Sequence, residues 1–296
     1  MILAEQLGQL VFSGLVPGYR ALPIVPILEQ LAGVEETVVR DKAVHSLNGI
    51  LPLLLADTKP VPGKEEEEAR QSCTKHAPGL VLAMIKRLAG ADWFTAKISA
   101  CAILPCVYQF FNMMKSNASV TVSINNNNNQ DGTAMDAFGN TAMALGSGFD
   151  EGSSSTTTVD NIKNDLRNMY RALGEDDTPM VRRGASKHLA KYVEAVAKLP
   201  YGKSGANSGP IAKEFVIPGG KDETIIKKTV SQDLRNKVFE DVVPLYQTLC
   251  GDEQDSVRLL AYSASGSMGC ALGLDGSTCK DAVLPLIKSG AQDLSW

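Results

Sequence analysis

The stretch Gly174-Glu-Asp-Asp-Thr-Pro-Met-Val-Arg-Arg183 has the composition of a tight turn between two antiparallel helices. Gly174 is suited to the left-handed backbone that ends a helix, and Thr178 is a good N-cap for the next. Pro179 then fits the first helical position, where its missing N–H costs nothing. Related stretches, with acidic residues ahead of a basic one, begin at Gly33, Gly90 and Gly251. The chain therefore repeats one structural unit.

The bulk composition favours packed helices. Of the 296 residues, 44% are apolar and only 6% are aromatic, which favours helix-on-helix packing over a β-sandwich. The formal charge is −4 and no dense Lys/Arg stripe occurs, which argues against a nucleic acid partner. No apolar run reaches the roughly 18 residues of a membrane span, so no membrane partner is expected. The N-terminal residues 1–5 lack the basic region of a secretory signal.

Helical periodicity divides the chain into repeated helix pairs. In the unit that contains the turn 174–183, Val181, Ala185 and Leu189 line one face of the second helix. The basic residues after the turns recur about 57, 85 and 76 residues apart, and near 40 once insertions are removed, which is typical of HEAT-type repeats. We expect one all-α solenoid of stacked antiparallel helix pairs. Its predicted units are 22–56, 79–112, 159–199 and 236–273, with half a repeat at 1–16 and the start of another at 280–296.

Three insertions separate the units. Residues 57–78 are polar and acidic, and are interpreted either as a docking tail or as a solvated helix end or loop. The stretches 113–158 and 200–235 are low-complexity inserts, expected to be disordered because they cannot bury a core. All three lie between units and none interrupts an acidic turn. The edge of the solenoid that carries the turns is thereby kept clear for a partner.

The turns also repeat a charge pattern. In each, an acid precedes the base by five residues, as Asp177 precedes Arg182. Stacking the units predicts a ladder in which the base of one turn meets the acid of the next. Surplus acids are expected to point outward and to contact a partner; these are Glu36, Asp176 and Asp255. Trp93 and Trp296 are expected beside them as interface anchors, although Trp93 has the alternative of packing on its own helix pair.

Four stretches carry a family resemblance: VEETVVRDKAV (34–44), RLAGADWFTAKISAC (87–101), DDTPMVRRGASK (176–187) and DEQDSVRLLA (252–261). They closely resemble the scaffold (A) subunit of the type 2A serine/threonine protein phosphatase, in its N-terminal part only. The resemblance implies an all-α horseshoe of HEAT repeats. In that family the N-terminal repeats hold a regulatory (B) subunit through their intra-repeat turns, and the C-terminal repeats hold the catalytic subunit.

The resemblance implies a non-catalytic scaffold that binds a regulatory (B) subunit. The catalytic subunit would belong to the full complex without being held by this segment. The inserts depart from the family pattern, and the chain starts and stops within repeats, which fits a fragment, a faulty gene model or a divergent paralogue. The implied contact residues are Glu35, Glu36, Trp93, Asp177, Thr178, Pro179, Arg182, Arg183, Glu253, Gln254 and Trp296.

Two other functions compete with this one. The chain has the pattern of a HEAT-repeat adaptor for another assembly or transport complex, and HEAT-like repeats also form enzymes such as bilin lyases. An enzyme needs converging titratable groups, and the six cysteines and three histidines are scattered. We therefore expect no catalytic residues, no metal site and no cofactor. Reduced cysteines within apolar helices indicate a cytoplasmic or nuclear protein.

Overall fold

The computed structural model describes residues 2–55, 63–123, 154–199, 230–273 and 277–293. Helices make up most of this part of the chain. They are α1 (Ile2–Phe12), α2 (Ile24–Gly33), α3 (Thr37–Ile50), α4 (Lys64–Ala89), α5 (Phe94–Asn112), α6 (Val159–Gly174), α7 (Pro179–Val196), α8 (Gln232–Lys237), α9 (Val243–Cys250), α10 (Asp255–Tyr262), α11 (Ser265–Leu272), α12 (Ser277–Ala282) and α13 (Leu284–Gly290). A π-helical turn, Val238–Val242, joins α8 to α9, and 3₁₀ turns lie at Gly18–Arg20 and Leu51–Leu54.

The helices form four antiparallel pairs. They are α2 with α3, α4 with α5, α6 with α7, and α8–α9 with α10–α11. The second helices pack on one another in chain order: α1 on α3, α3 on α5, α5 on α7, and α7 on α10 and α11. Each pair thus shares one buried layer with the next. The expectation of an all-α solenoid is confirmed.

The third pair shows how the sequence builds a unit. Its α6 buries Ile162, Leu166 and Tyr170, spaced four residues apart, so they form one apolar stripe. The Tyr170 hydroxyl donates a hydrogen bond to the Ala185 carbonyl of α7 at 2.7 Å. The Tyr170 ring also stacks on Tyr192 with the two ring centroids 3.8 Å apart. Small Ala185 lets the tyrosine of one helix reach the backbone of the other.

The second pair begins earlier than predicted. Helix α4 starts at Lys64, so the expectation that its unit spans only 79–112 is wrong for residues 64–78. Cys73, Ala77 and Val81 are buried at four-residue spacing, which continues the apolar stripe through the polar stretch. The acids in the first turn of α4 also complement the positive end of the helix dipole.

Strands replace disorder at both ends of the predicted insert 113–158. Strand β1 (Ser119–Ser123) pairs antiparallel with β2 (Ser154–Thr158), and β1 rests on α4. Val120, alternating with exposed neighbours, is buried there. Helix α8 likewise begins inside the predicted insert 200–235. The segments 124–153 and 200–229 lie outside the described residues, so the expected disorder stays a prediction for them, and residues 56–62 are also outside.

Helix α5 occupies the centre of the stack. By length and composition its 19 residues could cross a membrane, but 67% of its apolar window is buried by the neighbouring helices. Buried residues occur on every side of it, since α3, α4, α6 and α7 all contact it. The apolar character of α5 is therefore explained by its central place in the core.

We expect Gly18→Ala to lower the free energy of unfolding by about 1–3 kcal/mol, because it overpacks a tight contact. A Cβ at Gly18 would lie 2.1 Å from the Leu53 carbonyl oxygen, and backbone cannot swing aside as a side-chain end can. Urea unfolding followed by circular dichroism measures the change.

Gly33→Ala is the matched control, since a Cβ there meets nothing within 4 Å. Alanine at that helical position should be neutral or stabilising by up to about 1 kcal/mol. Equal effects of the two substitutions would contradict the packing explanation.

A buried carboxyl predicts a pH dependence. Glu194 is only 3% exposed, and burial raises its pKa, an effect that the hydrogen bond from the Ser267 hydroxyl at 2.9 Å only partly offsets. Its folded state therefore binds a proton more readily than its unfolded state, and the free energy of unfolding falls as the pH rises through the raised pKa. Glu194→Gln should stabilise the protein at neutral pH, with the gain vanishing below about pH 3, where the carboxyl is protonated in both states because this is more than a unit under its ordinary pKa. Urea midpoints across this pH range test it.

The exposed Glu68→Gln is the control for this measurement and should show no comparable trend. A stability gain for Glu194→Gln that is constant with pH would mean that ionisation of the carboxyl is not the cause.

Candidate partner-binding ridge

The turns between paired helices lie side by side along one edge of the stack. We define the turn ridge as residues 33–37, 90–94, 174–179, 251–255 and 290–293. Contacts between successive turns establish the order. They are Thr95 Oγ1 to the Gly33 carbonyl at 3.1 Å, Lys97 Nζ to Asp176 at 2.8 Å, Arg182 Nε to Asp252 at 2.6 Å, and Arg258 Nε to Asp293 at 2.7 Å. The ridge is therefore one continuous surface.

Arg182 shows how one rung is built. Its Nη1 donates to the carbonyls of Asp176 and Asp177 at 3.0 and 3.1 Å, which belong to its own turn. Its Nε and Nη2 donate to both carboxylate oxygens of Asp252, in the next turn, at 2.6 and 3.2 Å. The hydrogen bond with Asp252 raises the pKa of Arg182. One planar guanidinium thus holds two turns together through opposite edges.

The same arrangement recurs one repeat later. Arg258 donates through Nη1 to the carbonyls of Asp252 and Glu253, and through Nε and Nη2 to the carboxylate of Asp293. Asp252 therefore receives the fork of Arg182 with its side chain and that of Arg258 with its backbone. The predicted ladder exists at these two junctions and, with a lysine, at Lys97.

The main acids of the ladder lie one position ahead of those that the spacing predicts. Asp176 accepts from Lys97 in place of Asp177, and Asp252 accepts from Arg182 at 2.6 Å, while the expected Glu253 receives a longer contact from Arg182 at 3.4 Å. In each case a carboxylate oxygen also accepts a backbone N–H two residues on, from Thr178 at 2.9 Å and Gln254 at 2.8 Å. This Asx turn fixes the first acid against the stack, so the prediction that Asp176 points outward is wrong.

Two further predictions for this turn are wrong: the capping role of the Thr178 side chain and the left-handed backbone of Gly174. Thr178 is the N-cap residue of α7 but its side chain makes no capping hydrogen bond. Gly174 is not left-handed; a Cβ there would meet Leu245 Cδ1 at 2.5 Å, so the residue allows α9 to approach α6. Pro179 begins α7, as predicted. Burial alone raises the pKa of Asp176, but hydrogen bonds from Lys97 and Thr178 outweigh it and lower the pKa.

The first junction is built differently. Arg40 donates to the carbonyls of Val34 and Glu35, at 3.2 and 3.0 Å, and to Thr37, all in its own turn. Among the described residues it forms no ion pair with the second turn, so the ladder prediction is wrong here. Hydroxyl groups make the connection instead: the Ser99 hydroxyl donates to the Ala32 carbonyl at 2.6 Å, beside the Thr95 contact.

Most of the predicted contact residues face solvent on the ridge. Trp93 is 57% exposed and its ring packs only partly on Phe94, with the centroids 5.5 Å apart, so the outward alternative holds. Thr178 is half-buried, and the Arg182 side chain is 13% exposed because the ladder uses it. Trp296 lies outside the described residues. The exposed predicted residues are Glu35, Glu36, Trp93, Asp177, Pro179, Arg183, Glu253 and Gln254.

Two apolar residues of this surface were missed. Val38 and Met180, each 48% exposed, stand beside the first and third turns. Both precede the basic residue of their turn, Arg40 and Arg182, by two positions. An apolar residue two positions before the base is a signal that the sequence carried in two of the four turns; Thr95 and Ser256 hold that position in the other two. The ridge therefore combines carboxylates with apolar anchors.

The ridge holds no arrangement typical of catalysis or metal binding. In the described ranges, no three His, Cys, Asp or Glu side chains lie close enough together to hold a metal ion. The six cysteines are free thiols. Burial raises the pKa of Cys73 to about 11, which disfavours the reactive thiolate. What the geometry offers is a long, rigid, acidic surface.

Stacked antiparallel helix pairs, with short turns joined along one edge, define an α-solenoid of the HEAT-repeat class. No family model matches the chain. The beta isoform of the human 65 kDa regulatory A-type subunit of serine/threonine-protein phosphatase 2A is 32% identical over 201 residues, which are 66% of this chain and 22% of the human protein. The chain is thus related to the regulatory A-type subunits of phosphatase PP2A, and the resemblance is confirmed.

Other relatives match nearly the whole chain. The A-type regulatory subunit of PP2A from Schizosaccharomyces pombe is 26% identical over 294 residues, 99% of this chain and 32% of the yeast protein. A probable PP2A regulatory subunit of Caenorhabditis elegans is 28% identical over 288 residues, 97% of this chain and 31% of its own length. The chain spans about a fifth to a third of these curated relatives.

Arg182→Ala should lower the free energy of unfolding by about 1.5–3 kcal/mol, the usual range for losing hydrogen bonds to a charged group. The change leaves Asp252, whose side chain is 6% exposed, without its cation, and frees two turn carbonyls. Urea unfolding followed by circular dichroism is the measurement.

Arg183→Ala removes the same charge one position away, where the side chain is exposed. Its effect should stay within about 0.5 kcal/mol. If both variants unfold at the same urea concentration, the ladder does not hold the turns together.

Proposed function

We propose that the chain is a non-catalytic scaffold of a PP2A-type serine/threonine phosphatase and that its turn ridge docks a regulatory (B) subunit. The relatives support the first part, because their names describe regulatory subunits of this phosphatase. The ridge supports the second part. Within the full complex the catalytic subunit is expected to bind elsewhere than on this segment, in the cytoplasm or the nucleus.

One observation carries the proposal: neighbouring acids in a turn have different tasks. The Asp176 side chain is 13% exposed and neutralised by Lys97, whereas Asp177 next to it is exposed and has no cation partner in the described part of the chain. In the fourth turn Asp252 is in the ladder, whereas the Glu253 side chain is 78% exposed and receives only a longer contact from Arg182 Nη2, at 3.4 Å. The Asp177 charge, which no cation in the described part of the chain neutralises, is available to a partner.

The outward residues define the partner's chemistry. Glu35 and Glu36 in the first turn and Asp92 in the second are exposed, without ion pairs among the described residues. Next to Asp92 is Trp93, a residue type enriched in the energetic centres of interfaces. Such a surface fits a partner that presents Lys or Arg side chains around an apolar pocket. The rigid ladder beneath lowers the entropic cost of binding, since the row is ordered beforehand.

The ridge hypothesis is tested by reversing charges that the ladder does not use, in the triple variant Glu35→Lys, Glu36→Lys, Asp177→Lys. Affinity for the purified regulatory (B) subunit that binds the wild-type chain best, chosen from a panel, should fall by about 10- to 100-fold, which is roughly 1.4–2.8 kcal/mol. The difference should shrink at high salt, because exposed charges are screened. Biolayer interferometry at two salt concentrations gives both results.

The matched control reverses three exposed acids near the opposite ends of first helices: Glu65→Lys, Glu68→Lys and Asp233→Lys. Glu68 lies 21 residues before the end of α4, roughly 30 Å from the turn ridge. This variant should bind as the wild type does. Equal affinity of the ridge variant and the wild type, with both folded by circular dichroism, contradicts docking on the ridge.

The adaptor alternative is separated by the same proteins. Failure of the wild-type chain to bind any regulatory (B) subunit of the panel would favour an adaptor of another assembly. Recovery of the catalytic subunit in a pull-down without any B subunit would instead contradict the division of binding sites between the two halves of the scaffold.

A further inference from the structure

A second open surface lies away from the turn ridge, where α8 and α9 face α11 and α12. It is a groove of about 800 Å³ with an apolar floor that includes Val243, Leu272 and Ala282. Phe239 stands at its side with 48% of its surface exposed. The volume is within the range of about 300–1,000 Å³ found for binding pockets of folded proteins.

Phe239 lies within an irregular helical turn. The N–H of Val243 reaches back to the carbonyl of Val238, five residues earlier, which widens the helix into a π-turn. Pro244 follows and has no N–H to return to the carbonyl of Glu240. Val238 and Val242, four residues apart, are buried on one face, and Phe239 points out beside them. Such π-turns are frequent at binding sites.

The groove is lined by two acidic side chains and one basic side chain, and the two acids form no ion pairs among the described residues. Glu240 on one wall and Asp281 on the other are exposed and form no ion pair among the described residues. The only cation of the described lining, Arg235, donates through Nε to the Val230 carbonyl at 3.1 Å, and its guanidinium packs against Gly273, which has φ +90°. The groove thus offers two free carboxylates around an apolar floor.

We propose that this groove docks a short segment of a partner polypeptide that carries a large apolar side chain flanked by Lys or Arg. The apolar side chain packs on Phe239 and Leu272, removing both from water, and a cation bridges Glu240 and Asp281. Complementary charge selects the class of partner, because a segment rich in Asp or Glu would meet two uncompensated carboxylates. The groove involves the bodies of the first helices, so it can be occupied together with the turn ridge and does not depend on the function proposed for that ridge.

The test uses a fluorescein-labelled 16-residue helical peptide of Leu and Lys, with a Leu and Glu peptide of the same pattern as the charge control. Fluorescence anisotropy measures its affinity for the full chain. Replacing the groove residues in the variant Phe239→Ala, Glu240→Lys, Asp281→Lys should weaken binding of the Leu–Lys peptide at least tenfold. The α4 variant Glu65→Lys, Glu68→Lys should bind it within about twofold of the wild type, because it shifts the net charge by the same amount at exposed positions outside the groove.

Equal affinity of the groove variant and the wild type overturns the proposal, as does an equal loss of binding in the α4 variant. Tighter binding of the Leu–Glu peptide overturns the assigned charge preference. Circular dichroism and urea midpoints of the groove variant separate a loss of affinity from a loss of fold, and Glu240→Gln, which keeps the shape of the side chain, should weaken binding in the same direction.

Discussion

The structure depends on the arginine forks of its turns. A guanidinium presents donors on more than one edge, and Arg182 uses one edge for the carbonyls of its own turn and another for the Asp252 carboxylate of the next. A short turn leaves backbone carbonyls without hydrogen-bond partners, and stacked repeats need a fixed spacing. The guanidinium of one arginine meets both needs. Because Arg258 repeats the arrangement, the turns cannot slide past one another. The order of the outward side chains follows from that constraint.

Much of this could be predicted from residues, and the remainder has identifiable causes. The helix pairs, the start of α7 at Pro179 and the existence of a ladder follow from periodicity and from a base at a fixed place in each unit. The choice between Asp176 and Asp177 does not, since a shift of one residue turns a side chain to a different face while the charge pattern stays the same. The choice is made by an N–H of the turn backbone, which no spacing rule records. Polar composition likewise hid the first part of α4, where Cys73, Ala77 and Pro78 are the buried residues.

The junctions differ in chemistry although the repeats share a fold. The last two are closed by arginine and aspartate, the second by lysine, and the first by the hydroxyl groups of Thr95 and Ser99. At the first junction Arg40 satisfies its own turn, and Asp92 is left exposed beside Trp93. The part of the ridge with the least internal ion pairing therefore has the most carboxylate to offer a partner. Kinship with the PP2A regulatory subunits of human and worm, at 32% and 28% identity, is compatible with such differences.

The ribbon of β1 and β2 has a consequence for how such a chain can change. Ser123 and Ser154 are register partners, so the intervening residues 124–153 leave and re-enter the stack at one point. Closing a loop costs free energy that grows only with the logarithm of its length, and here the closure is made by strand pairing rather than by the helices. Lengthening or shortening that segment leaves the distance between α5 and α6 unaltered. Sequence can therefore be inserted or removed between β1 and β2, by evolution or by design, without changing the spacing of the helix pairs.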